Sequence, residues 1–100
     1  MSELTTAAEF VSAVVDLSGT STTVFAYPAI LRGAWVNTDT AGGVTLITDN
    51  GVTVNSIPSG TVAGQWLEFG DNFFKSDITV DSTGASSGSL TIVYKPVHSN

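Results

Sequence analysis

The chain contains no cysteine, which removes disulfide frameworks and thiolate metal centres but leaves the compartment open. Positive charge is nearly as scarce. Arg32, Lys75 and Lys95 stand against nine acids, giving a net charge of -6, so a surface that tracks phosphates is excluded and nucleic acid is not an expected partner. His98 is the only histidine. No apolar run approaches the roughly 20 residues that cross a bilayer. The start, Met1-Ser2-Glu3-Leu4, carries an acid where a secretory signal carries a base, and the chain is therefore expected to be soluble and not exported by a signal of its own. Charged residues make up 12% of the sequence, half the usual share of about 25%. The surface has to be built from Thr, Ser, Asn and Gly.

What the sequence does have is alternation. Apolar residues recur at a period of two, broken about every ten residues by Gly, Ser, Asn, Asp or Pro, which is the pattern of an all-β sandwich or barrel. Its 100 residues hold one core. The pattern predicts eight strands: 9–17, 22–27, 30–37, 44–48, 52–57, 64–69, 74–81 and 89–95. Residues 1–8 are read as an N-terminal arm, 9–97 as the β-sandwich domain and 98–100 as a C-terminal tail.

Gly43 to Pro58 reads as a hairpin turning at Asp49-Asn50-Gly51. Asn-Gly favours a two-residue type I′ turn, but that register pairs Leu46 with Asn55 and leaves neither face dry. A three-residue loop, a type I turn with Gly51 left-handed, aligns Val44 and Leu46 with Val52 and Val54 and is the expected form. Ile47 is then the one large apolar residue on the polar side.

The same parity test finds more apolar side chains than one interior holds. Phe10 and Val14 lie opposite the row Val11, Ala13, Val15 and Leu17. Trp66 lies opposite Leu67 and Phe69, and Phe73 opposite Phe74, Ile78 and Val80. In 30–37 both faces are apolar, one with Leu31 and Trp35, the other with Ile30, Ala34 and Val36. Each such residue left in water forgoes roughly 1.5–3 kcal/mol, so four or five together rival a domain's whole stability of about 5–15 kcal/mol. Loops could cover them; burial between copies of the chain is the expectation, with Phe10, Val14, Trp35, Trp66 and Phe73 as interface candidates.

No catalytic set is expected. His98 follows Lys95-Pro96-Val97 at the end of the last strand, a poor mounting for a general base, and the chain is read as a non-enzyme. Asp39, Asp71, Asp77 and Asp81 could offer oxygen ligands to calcium, but their spacing matches no calcium loop, and turn hydrogen bonding accounts for them. No cofactor or metal is expected. Tyr27, Trp35, Trp66 and Tyr94 could form a sugar-stacking platform, with Gln65 and Glu68 beside Trp66 supplying polar contacts.

Several segments, in this order, resemble small structural proteins of tailed bacteriophages. They are Leu31-Arg-Gly-Ala-Trp-Val-Asn37, Gly43-Val-Thr-Leu-Ile-Thr-Asp49, Ile57-Pro-Ser-Gly60, Gln65-Trp-Leu-Glu-Phe69, Ile78-Thr-Val80 and Gly88-Ser-Leu-Thr-Ile-Val-Tyr94. The resemblance covers roughly residues 30–95; Trp35 and Asn50 depart from its pattern. It implies a single jelly-roll-like antiparallel β-sandwich that forms homo-oligomers, often trimers, and serves in the virion as a capsid decoration, cement or head–tail accessory protein. Its partners would be copies of itself and phage capsid or tail proteins, with no membrane or nucleic acid. A carbohydrate- or receptor-binding sandwich, of the adhesin or tail-tip type, is the alternative.

Overall fold

The computed structural model describes residues 9–18, 21–82 and 86–97; the expected arm, the expected tail and His98 lie outside them. Eight strands follow one another: β1 (Val11–Asp16), β2 (Ser21–Phe25), β3 (Ala29–Ala41), β4 (Thr45–Asp49), β5 (Val52–Ile57), β6 (Trp66–Phe74), β7 (Ile78–Ser82) and β8 (Ser87–Pro96). They form two antiparallel four-stranded sheets, ordered β1-β8-β3-β6 and β2-β7-β4-β5. No helix occurs among the described residues. The expected all-β architecture of about eight strands is present.

Both sheets turn one face to a shared core. Val15, Leu31, Ala34, Val36, Leu90 and Ile92 come from the first sheet, and Ile47, Ile57, Ile78 and Val80 from the second, all buried together with Phe74. These are the β-branched and large aliphatic residues that suit a half-buried pleated surface. Asn55 and Asn72, opposite the buried Ile47 and Leu31, join β5 to β6 across the open side of the two sheets through a 3.4 Å amide hydrogen bond.

Three expectations need correction, each because a bulge or a side-chain acceptor changes what the ladder does. The first concerns β3. Leu31 and Trp35 do not share a face: Leu31 is in the core while Trp35 is exposed. Against β8 the register skips Arg32, so Leu31 meets Tyr94 and Gly33 meets Val93. Such an extra residue reverses the parity of everything beyond it. The inward row is therefore Ala29 and Leu31, then Ala34 and Val36, and the apparent double apolar face is largely one face that switches sides.

The second correction is the hairpin. Asn50 and Gly51 both take positive φ, 52° and 82°, the signature of a two-residue type I′ turn, and Asp49 pairs with Val52. A bulge at Val54 then places Ile47 opposite Asn55. The turn follows its dipeptide preference, and the bulge restores a dry inner row of Thr45, Ile47 and Ile57. Ile47 is fully buried, whereas Val52 and Val54 are exposed, the reverse of the expected faces.

The third is the boundary near residue 74. β6 continues through Phe74, and β7 starts only at Ile78. The amides of Lys75, Ser76 and Asp77 are drawn out of the ladder by Asp49, whose carboxylate accepts them at 3.0, 3.0 and 3.3 Å.

Candidate functional site

Alternation along the first sheet decides which side chains leave it on the outside. In β8 the buried residues are Leu90, Ile92 and Tyr94, so Ser89, Thr91, Val93 and Lys95 point outward. Their partners share that face. Val14 pairs with Thr91, Thr91 with Trp35, and Trp35 with Trp66, forming one row across all four strands. Ile30 pairs with both Lys95 and Phe73, forming another. The five interface candidates therefore meet on a single surface, with Phe10 beside Lys95.

They are not equally available. Val14 is 73% exposed, Phe73 59% and Trp35 47%. Phe10 is half-buried: the Arg32 guanidinium lies 3.6 Å from its ring centroid and the Lys95 ammonium 5.0 Å, a cation–π arrangement on both counts. Arg32 in turn forks onto Asp71, with its Nε 3.2 Å from one carboxylate oxygen and an Nη 3.5 Å from the other. Both residues belong to bulges. Arg32 is the extra residue of β3 against β8, and Asp71, at φ 55°, follows Gly70 in the irregular stretch of β6 opposite it. The face thus has apolar ends and a charged middle.

Trp66 is fixed in place. Its indole N–H donates to Glu68 Oε1 at 2.9 Å, and the other Glu68 oxygen accepts the Gly70 amide at 3.1 Å. Its ring lies over Gly33, where a Cβ would strike the Leu67 carbonyl oxygen and sit 2.5 Å from the indole. Trp35 leans on this seated ring, with centroids 5.0 Å apart and planes at 54°, within the tilted geometries aromatic pairs favour. Beside them Asn37 donates to Thr91 Oγ1 at 2.8 Å.

The four-ring platform is not assembled. Tyr94 is buried and packs on Phe25, 5.3 Å away, while Tyr27 meets Phe25 edge-on at 5.8 Å. Only Trp35 and Trp66 stand together. The candidate oxygen ligands are dispersed as well: Asp39 accepts the Ala63 amide at 2.7 Å, Asp77 the Asn50 amide at 3.1 Å, and Asp71 is paired with Arg32. Among the described residues no group of three or more His, Asp or Glu could hold a metal ion. No helix of the described residues is long and apolar enough to cross a membrane.

Two carboxylates carry the clearest electrostatic signatures. Burial pushes Asp49 up, but the Lys75, Asp77 and Ser76 amides and the Lys75 charge together hold it below the usual 3.8. Asp16 is also lowered, through hydrogen bonds from the Ser18 backbone and side chain. Both carboxylates accept amides of turns and connections.

The opposite surface carries a row that alternation alone does not reveal. Thr23, Thr79, Thr48 and Thr53 are successive cross-strand partners over the whole second sheet, with the Thr23 and Thr79 hydroxyls 3.2 Å apart; Thr23 and Thr53 are exposed, whereas Thr48 is buried and donates to the Thr79 carbonyl at 3.5 Å. Threonine suits strands wherever it falls, and only the register shows the row. One outer face is thus hydroxyl-bearing, the other aromatic.

No protein-family model matches the chain, and no curated protein or solved structure matches it significantly.

Proposed function

We propose that this chain is a structural protein of a tailed-bacteriophage particle, a self-associating capsid decoration or head–tail accessory protein that acts by packing and not by covalent chemistry. The observation that carries the reading is the outer face of the first sheet, where Val14, Trp35 and Phe73 stay exposed beside a seated Trp66. An apolar surface rimmed by polar groups is what a protein interface offers, and Trp is among the residues that anchor one. Such a protein would be made in the host cytoplasm, reside in the virion and stabilise the shell it occupies by mass action.

Topology supports the same reading. The pairs β1·β8, β2·β7, β3·β6 and β4·β5 are all antiparallel. The orders β1-β8-β3-β6 and β2-β7-β4-β5 are those expected if such a nested set is rolled over one core, and they support a jelly-roll reading, an arrangement used in viral capsid and lectin domains. The phage resemblance adds its own weight to the capsid side.

The lectin side keeps a second reading open on one observation, the Trp35–Trp66 pair with Glu68 at its edge. One experiment separates them. Purified protein added to undecorated phage heads should cosediment, and the double variant Trp35→Ala/Phe73→Ser should lose this by about ten-fold or more. Absence of binding to heads and tails overturns the structural reading; glycan-array binding lost in Trp66→Ala would establish the sugar-binding one.

A further inference from the structure

We propose that the outer edge of β5 is the surface through which one copy of this chain joins a second, strand to strand about a two-fold axis. The inference rests on the self-association in the reading above and not on a place in a virus particle.

Three observations meet at this edge. β5 ends the second sheet and is paired there with β4 alone, so alternate backbone groups point away from the molecule, and an edge in that state recruits another strand unless something guards it. Of the guards such an edge can carry, β5 has a bulge at Val54 but lacks charge, the common one. From Asn50 to Leu67 no residue is charged, and the adjacent Asp49 turns its carboxylate onto the Lys75–Asp77 amides. Apolar side chains stand open on the strand instead: Val52 is 67% and Val54 40% exposed.

Charge also identifies the occupant. Each copy carries a net charge of -6, so any contact that brings acidic faces together works against association. A basic partner would be drawn to the acids, and an uncharged edge gains nothing from it. A like-charged copy is the partner for which an uncharged edge is suited. Antiparallel pairing of one segment with itself is self-complementary, each hydrogen bond being repeated by the symmetry. The bulge at Val54 keeps the shared ladder short, and the valines supply the dry contact around it. The resulting assembly is even-numbered, in contrast to the trimer the phage resemblance implies.

Sedimentation equilibrium of the full chain at high micromolar concentration should give two, or an even multiple, of the 10.3 kDa protomer mass. Val54→Lys and Val54→Glu each set like charges face to face across the axis, so each alone should weaken association by about ten-fold or more. Mixing the two variants should restore it. A trimer, or an oligomer that ignores both variants while Trp35→Ala dissolves it, overturns the β5 assignment and leaves self-association standing. A monomeric wild type overturns both. Should either variant fail to fold by circular dichroism, amide exchange of the wild type decides: the Val52–Ile57 amides should gain protection as concentration rises, and an oligomer without that gain rejects the inference.

Discussion

Gly33 shows how one missing side chain organises a surface. It lies on the outer row of β3, opposite Val93 and Glu68, yet it is buried, because the Trp66 ring rests on its backbone. Its requirement is steric, since any Cβ would meet the Leu67 carbonyl and the indole together. Gly33→Ala must therefore lift Trp66 off the strand and part it from Glu68. We expect a loss of about 1–3 kcal/mol, the range for overpacking, measurable by urea denaturation. The change in indole environment should appear in the folded protein, and Trp66→Ala made together with Gly33→Ala should recover part of the loss.

Among the elements, two carboxylates tie the β4–β5 turn to the β6–β7 connection. Asp49 accepts three amides from that connection, and Asp77 returns the contact by accepting the Asn50 amide. Because the folded-state pKa of Asp49 lies below its ordinary value, this carboxylate stabilises the fold fully above the unfolded value of about 3.9. The contribution is lost as pH falls through the folded value. Asp49→Asn should cost about 1–2 kcal/mol at neutral pH and flatten the acid limb of a stability–pH profile measured by denaturant melts. Elements were also the scale at which the sequence was most readable. Period-two runs bounded by Gly, Asp and Asn located eight strands, but the Arg32 and Val54 bulges have no signature in alternation, since an inserted residue is visible only against its partner strand. That is why alternation sets Leu31 and Trp35 on one face and Ile47 on the polar side, although Leu31 and Ile47 are buried and Trp35 is exposed. Residues 75–77 look strand-like until a carboxylate 26 residues away in sequence claims their amides.

For the whole molecule, the question is what the exposed rings contribute. The domain measures 48 × 27 × 20 Å, and the aromatic face lies outside a core already filled by aliphatic residues, Phe74 and Tyr94. Phe73→Ser should accordingly change stability by no more than about 0.5 kcal/mol, whereas Leu31→Ala, at a fully buried site, should cost about 2–5 kcal/mol. Thermal melts of the two variants check that contrast. Parity could nominate the five side chains of the face; that they share one surface depends on how β1, β8, β3 and β6 come together, which is a long-range fact. Arg32 capping Phe10 was beyond it altogether. The chain's two tryptophans both belong to this face and lie tilted against each other, so its intrinsic fluorescence is blind to the interior and looks outward. Light emitted by the native protein becomes an indicator of whatever settles there: the emission colour should shift when a neighbour displaces water, with no label attached.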